Sequence, residues 1–202
     1  MKLLYSHTSP YARKVRIALR EKGALAGVEE VVVNPWGDDV AELRAQNPLG
    51  KIPALVLDDG QAYFDSRVIC AYIDSLAPEP ALTPKSSPAL FAAMRAEALA
   101  DGVLDASVAM LLESRRPEPQ RSPDMIARWR AAIERSVPVM AEAEHALPAD
   151  ARLARIAIAV ALGHVDYRHG HIRWRDAAPR LAGWHQEYSA RPSFVETAPP
   201  PA

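Results

Sequence analysis

The sequence predicts a small α/β domain followed by an all-helical domain, and three observations predict it. In roughly the first 80 of the 202 residues, short apolar runs alternate with amphipathic helical segments. From about residue 86 onward, long Ala-rich stretches carry helical periodicity and offer no strand candidate. Between the two lies a Pro-rich segment, 79–86, that reads as a linker.

The elements follow in order. Lys2–Ser6 is a short apolar strand. Thr8-Ser9-Pro10 then opens a helix, with Ser9 as N-cap and Pro10 as first helical residue. Val15, Ala18 and Leu19 mark its buried side, and Gly23 stops it. Glu30–Val33 is a β-branched run and a second strand, so the first unit is βαβ with a parallel pair. A loop from Asn34 to about Asp39 leads into a short helix ending near Ala45. After Asn47-Pro48-Leu49-Gly50-Lys51-Ile52-Pro53, the segments Ala54–Leu57 and Gln61–Phe64 form a hairpin across Asp58-Asp59-Gly60. Asp65-Ser66 opens a helix to about Leu76, with Asp65 able to cap it. The order is βαβαββα. Further helices are expected near 87–114, 123–147, 153–168 and 178–190, and the Pro-rich end near 199–201 reads as a frayed tail.

Composition narrows the function classes. Hydrophobic residues make up 49% and charged residues 24%, as in globular domains. The formal net charge is −1 and neither half is polarised, so no nucleic-acid or membrane footprint is expected. The single cysteine, Cys70, excludes an internal disulfide and a CxxC redox motif. The start is too short and too quickly polar for a signal peptide, and no apolar run reaches membrane length. A cytoplasmic protein is the expectation.

Four features then carry a likeness: the βαβαββα order, the Ser-Pro helix start running into Lys14-Val15-Arg16-Ile17-Ala18-Leu19, the NPLGKIP loop, and Asp65-Ser66 after a hairpin. Together they resemble the glutathione transferase family, over essentially the whole chain. The resemblance implies a thioredoxin-like domain at 1–78, the linker at 79–86 and a helical bundle at 87–202. It implies glutathione as co-substrate, a small electrophile as second substrate and a homodimer, with no metal.

Physically, a helix N-terminus offers unpaired N–H groups and partial positive charge, which favour a thiolate. A serine hydroxyl aimed at the same sulfur donates a charge-assisted hydrogen bond. Ser9 fits that role, and it equally fits a plain N-cap. The resemblance assigns the sulfur to Ser9, with Thr8 as the alternative hydroxyl and Tyr5 as a weaker one that packs instead. It also implies a cis bond before Pro53, with Ile52 reading the cysteinyl main chain of glutathione as an added strand does. Lys51 is implied for the glycyl carboxylate. Ser66 and Asp65 are implied for the carboxylate and ammonium of the γ-glutamyl end. Each has a plainer alternative: Pro53 as an ordinary strand-start proline, Lys51 as a solvated lysine, Asp65 as a simple cap. Cys70 reads as a small buried hydrophobe on the Ser66 helix.

The second substrate is expected between the domains, against Tyr11, Met110, Glu113, Arg115 and Trp174, with Arg173 and Arg175 nearby; a Met or aromatic at helical spacing is equally a core residue. His164, His169, His171 and Asp166 do not form a recognised zinc frame and read as cationic side chains at a helix end. One departure from the family stands at 152–156, where both residues of a Ser/Thr-x-x-Asp capping box are replaced by Arg152 and Arg155. Asp150 as substitute cap, or an acidic partner for Arg155, is expected to compensate. The rival readings are a non-catalytic binding module, and an isomerase or dehalogenase on the same fold.

Overall fold

A computed structural model describes residues 1–37 and 40–201; the expected loop end at Asp39 lies outside the described residues. The chain divides into two compact units: Met1–Leu82 together with Arg191–Pro201, and Thr83–Ala190.

The first unit holds β1 (Lys2–Tyr5), α1 (Pro10–Glu21), β2 (Glu29–Val32), α2 (Ala41–Gln46), β3 (Ala54–Val56), β4 (Ala62–Tyr63) and α3 (Ser66–Ser75). The four strands form one sheet in the order β2-β1-β3-β4, with β1 parallel to β2 and antiparallel to β3. The central strand β1 is therefore flanked on both sides, and Leu3, Leu4 and Tyr5 are buried. Alternation sends Leu4 and Ala54 to one face, where they meet Leu43 of α2. Leu3 and Leu55 point to the opposite face, where α1 and α3 pack against each other and bury Val15, Ala18, Leu19, Ile69 and Ile73.

The ends of α1 are fixed by local chemistry. Ser9 Oγ accepts the Ala12 amide at 3.2 Å, and Pro10 occupies the first helical position, where its missing N–H costs nothing. At the far end Gly23 takes φ +70°. Its amide bonds Arg20 O and the Ala24 amide bonds Leu19 O, the paired arrangement that a left-handed residue permits. Beyond it, the side chain of Lys22, 1% exposed, bridges Asp74 of α3 at 2.9 Å and donates to Pro80 O. Asp74 also accepts the Leu82 amide, so one carboxylate ties α1, α3 and the end of the unit together. The hairpin turn closes on Gly60 at φ +88°.

The last residues were expected to belong to the helical part, with a frayed tail only at 199–201. Arg191–Pro201 instead groups with the first unit and forms a short helix, α9 (Pro192–Val195). The reason is specific: Phe194 and Thr197 are buried there, and ion pairs anchor the segment to α1.

The second unit consists of α4 (Ser87–Ser114), α5 (Pro123–Ala146), α6 (Arg152–Arg168), α7 (Trp174–Ala177) and α8 (Pro179–Ser189). α6 is its centre: residues Ile156–Leu162 are all buried, as befits a helix apolar all round. α4 packs on α5 and α6, and α8 packs on α6. The unusual start of α6 is resolved in one of the two expected ways. Asp150 does not cap it; the N-cap is Ala151, with no side-chain cap bond. Arg155 instead pairs with Glu144 at 3.3 Å and donates to Leu147 O and Pro148 O at 2.7 Å each. It thereby satisfies carbonyls at the C-terminal end of α5.

Among the described residues no helix is long and apolar enough to cross a membrane.

Candidate functional site

Register brings the expected site residues of the first unit to one edge of the sheet. β1 and β3 pair Lys2↔Val56, Leu3↔Leu55 and Leu4↔Ala54. Continued by one residue, that register sets Tyr5 beside Pro53, so the turn after β1 lies next to Ile52–Pro53. β3 and β4 pair Val56↔Ala62 and Leu55↔Tyr63. Continued in the same way, it sets Asp65 beside Pro53. The turn Ser6–Ser9, the segment Lys51–Pro53 and the pair Asp65-Ser66 therefore share this edge. Both α1 and α3 begin there, each with its N-terminus toward it.

The first arm is the turn after β1, closed by the Ser9 amide on Ser6 O at 3.2 Å. Ser9 is half-buried and Thr8 exposed. Capping and sulfur binding were alternatives for Ser9 in the sequence; the geometry makes them compatible. The cap uses a lone pair of Oγ and leaves the O–H as a donor, polarised by the bond it already accepts. Tyr5, by contrast, is buried, with the Arg16 guanidinium 4.5 Å from its ring centroid and His7 edge-on at 5.2 Å. Tyr11 sits half-buried in the first turn of α1.

The second arm is the 47–53 loop. The Ile52–Pro53 bond is cis, as the resemblance implied. The Ile52 side chain packs against the Leu4–Leu43–Ala54 cluster, and Lys51 is exposed. Sequence reasoning quoted this loop but assigned no role to Asn47, which organises it. Asn47 is buried; its Nδ2 donates to Lys51 O at 2.8 Å and its Oδ1 accepts the Leu49 amide at 3.1 Å. Its own carbonyl accepts the Gly50 amide at 2.8 Å, and Gly50 takes φ +61° to close the turn. An Asn three residues before a Gly is the signal that was available.

The third arm is the start of α3. Asp65 is exposed and accepts the Arg67 amide at 2.9 Å as N-cap. Ser66, the first residue of α3, is 3% exposed. A serine hydroxyl at a helix N-terminus is an arrangement that suits a carboxylate. Cys70, one turn further along α3, is fully buried.

Behind the site, charge is concentrated on α1. Glu30 of β2 receives Arg16 at 2.5 Å and Arg20 at 3.1 Å. Burial alone would raise the Glu30 carboxyl; the hydrogen bonds from Arg20 and Arg16 outweigh it and hold the group below its ordinary value.

Of the residues expected to line a second-substrate pocket, Tyr11 stands on α1 and the other four belong to the helical unit. Met110 and Trp174 are buried, and Trp174 donates Nε1 to Asp166 at 2.7 Å. Glu113 accepts the Ser122 amide at 2.8 Å and so braces the start of α5. Arg115 is exposed at the end of α4. The histidines were read as cationic. His164 is instead buried and bonded to Ser107 Oγ at 2.8 Å. His169 is bonded to Ser107 O at 2.9 Å, and burial holds its pKa below the usual histidine value, favouring the neutral ring.

Comparison with known proteins bears on the family and the fold. The family model described as "Glutathione S-transferase, N-terminal domain" matches residues 8–76. An uncharacterized GST-like protein of Escherichia coli K12, YibF, is 38% identical over the full length of both chains. A solved glutathione transferase family member from Pseudomonas fluorescens Pf-5, with bound glutathione, is 40% identical, covers 98% of each chain and superposes with a TM-score of 0.93. A second structure from that organism holds S-(propanoic acid)-glutathione; it is 38% identical, covers 99% of this chain and all of the other, and has a TM-score of 0.88.

Proposed function

The chain belongs to the glutathione transferase family, and from that premise we propose that it binds glutathione at the sheet edge and conjugates its sulfur to small apolar electrophiles. The observation that carries this reading is the convergence of Ser9, Ile52–Pro53 and Ser66 on one edge with two helix N-termini.

In this reading the peptide lies along Ile52, exchanging main-chain hydrogen bonds as an extra strand would. The γ-glutamyl carboxylate takes the Ser66 hydroxyl and the N-terminus of α3, and Asp65 faces the ammonium. Lys51 is the cation for the glycyl carboxylate. Ser9 donates its O–H to the sulfur, and the N-terminus of α1 adds its partial charge, so the thiolate persists near neutral pH. The thiolate attacks an electrophilic carbon; a C–S bond forms and the leaving group departs with its electron pair. A cytoplasmic homodimer with a detoxifying role belongs to the same proposal.

The test is retention on immobilised glutathione together with conjugation of a generic aryl halide. Wild type binds and conjugates, whereas Ser9→Ala binds and conjugates poorly. Absence of binding in wild type refutes the reading and favours the non-catalytic module. Full conjugation by Ser9→Ala, with loss in Thr8→Ala, assigns the sulfur to the neighbouring hydroxyl.

A further inference from the structure

The C-terminal segment grips α1 along its whole length. At the far end of the helix, Glu21 receives Arg191 through two guanidinium nitrogens and Ser193 Oγ at 2.5 Å. The preceding residue, Arg20, holds Glu196 at 3.0 Å. Near the N-terminus, Arg13 Nη2 donates to Phe194 O at 3.0 Å, and its guanidinium stands 5.6 Å from the centroid of the Phe194 ring. Phe194 is 1% exposed, and the buried Thr197 hydroxyl closes the turn on Ser193 O at 2.7 Å. The strap therefore meets the helix through ion pairs at one end and through a single arginine at the other.

That arginine is one helical turn from Ser9. Its amide donates to Ser9 O at 2.9 Å, the first main-chain bond of the helix. Its Nε is buried without a hydrogen-bond partner among the described residues. Burial first, and then the neighbouring Arg16, push its pKa down to about 10. A desolvated cation with an unmatched donor is costly unless its other donors and its charge find partners. The Phe194 carbonyl and ring are what it rests on.

We propose that Arg13 and Phe194 are positioning residues for Ser9, the strap setting where the first turn of α1 stands against the sheet edge. The inference rests on the proposed glutathione reading for its chemical consequence, but not for its structural one. A small retreat of this turn lengthens the bond from Ser9 to a bound sulfur, while Ile52 and Ser66, on other elements, keep their hold on the peptide.

The experiment uses the full chain with Phe194→Leu, which keeps apolar volume but removes the ring, and Arg13→Met, which removes the fork. Two readouts are taken. Amide hydrogen exchange at Ala12 and Arg13 should quicken about 10-fold in both variants, with Leu3 and Leu4 of β1 unchanged. The pH profile of conjugation should shift upward by about half a unit or more, with affinity for S-methylglutathione within about twofold of wild type. Unchanged exchange in the first turn of α1, or uniform quickening of the whole unit, overturns the positioning. A lowered melting temperature with an unmoved pH profile reduces the strap to a structural role and also overturns it. If wild type binds no S-methylglutathione, the functional reading has failed, and hydrogen exchange alone still decides for or against the strap.

Discussion

Two buried serines separate the two units. Ser66, 3% exposed, stands at the N-terminus of α3; Ser107, fully buried in the middle of α4, is bonded to His164. The residue type and the burial are alike, and the setting differs. Several polar groups of the helical core close on one another in the same way: His169 on Ser107 O, Trp174 on Asp166, His185 on Ala159 O. At the sheet edge Ser66 instead stands at a helix N-terminus, which favours an anion. A helix N-terminus is a ready place for an anion, so the setting of the two serines points to the sheet edge more sharply than burial or composition does.

The sharpest way to break the comparison is at Ser9. Ser9→Ala should lower kcat/KM for conjugation by about 100-fold, the upper range of a charge-assisted hydrogen bond, while the lost cap costs about 1 kcal/mol in urea unfolding. A comparable loss in stability with full activity would make Ser9 a cap alone. Ser66→Ala should weaken glutathione binding about 10-fold by calorimetry, with its melting temperature little changed. Ser107→Ala should do the opposite: glutathione binding unchanged, stability down by about 1–3 kcal/mol as the bond to His164 is lost. If those two variants exchange phenotypes, the distinction between a binding serine and a core serine is wrong.

The smallest effects are in pH. His169 prefers the neutral form in the folded protein, so as pH falls through 6.5 the unfolded chain takes up the proton first. Stability contributed there is complete above that pH and declines below it, and His169→Gln should flatten the slope in unfolding titrations. Glu30 acts lower: its folded pKa lies below 4.5, so its contribution is full above that value and is lost as pH falls through the lowered one. Glu30→Gln should remove that acid limb.

What the sequence made legible follows from which signals are local. The Ser9-Pro10 start, the Gly23 stop and the Asp65 cap each act within a turn, and all three are found where the pattern placed them. The long helices follow from periodicity over many residues. What escaped is made of distant pairs. Arg13 with Phe194, Glu21 with Arg191 and Lys22 with Asp74 join parts of the chain that no window of sequence brings together. The role of residues 191–201 was hidden for that reason. Asn47 escaped for another: its side chain serves its own loop, and the pattern around it drew attention to the proline instead.

The account stands most directly on the ionisation of bound glutathione. Ultraviolet titration of the thiolate in the wild-type complex should give a pKa well below that of the free thiol, and Ser9→Ala should return it upward by at least about one unit with the peptide still bound. The same pKa in both proteins would contradict the assignment of the sulfur to Ser9 and the meaning given to the sheet edge.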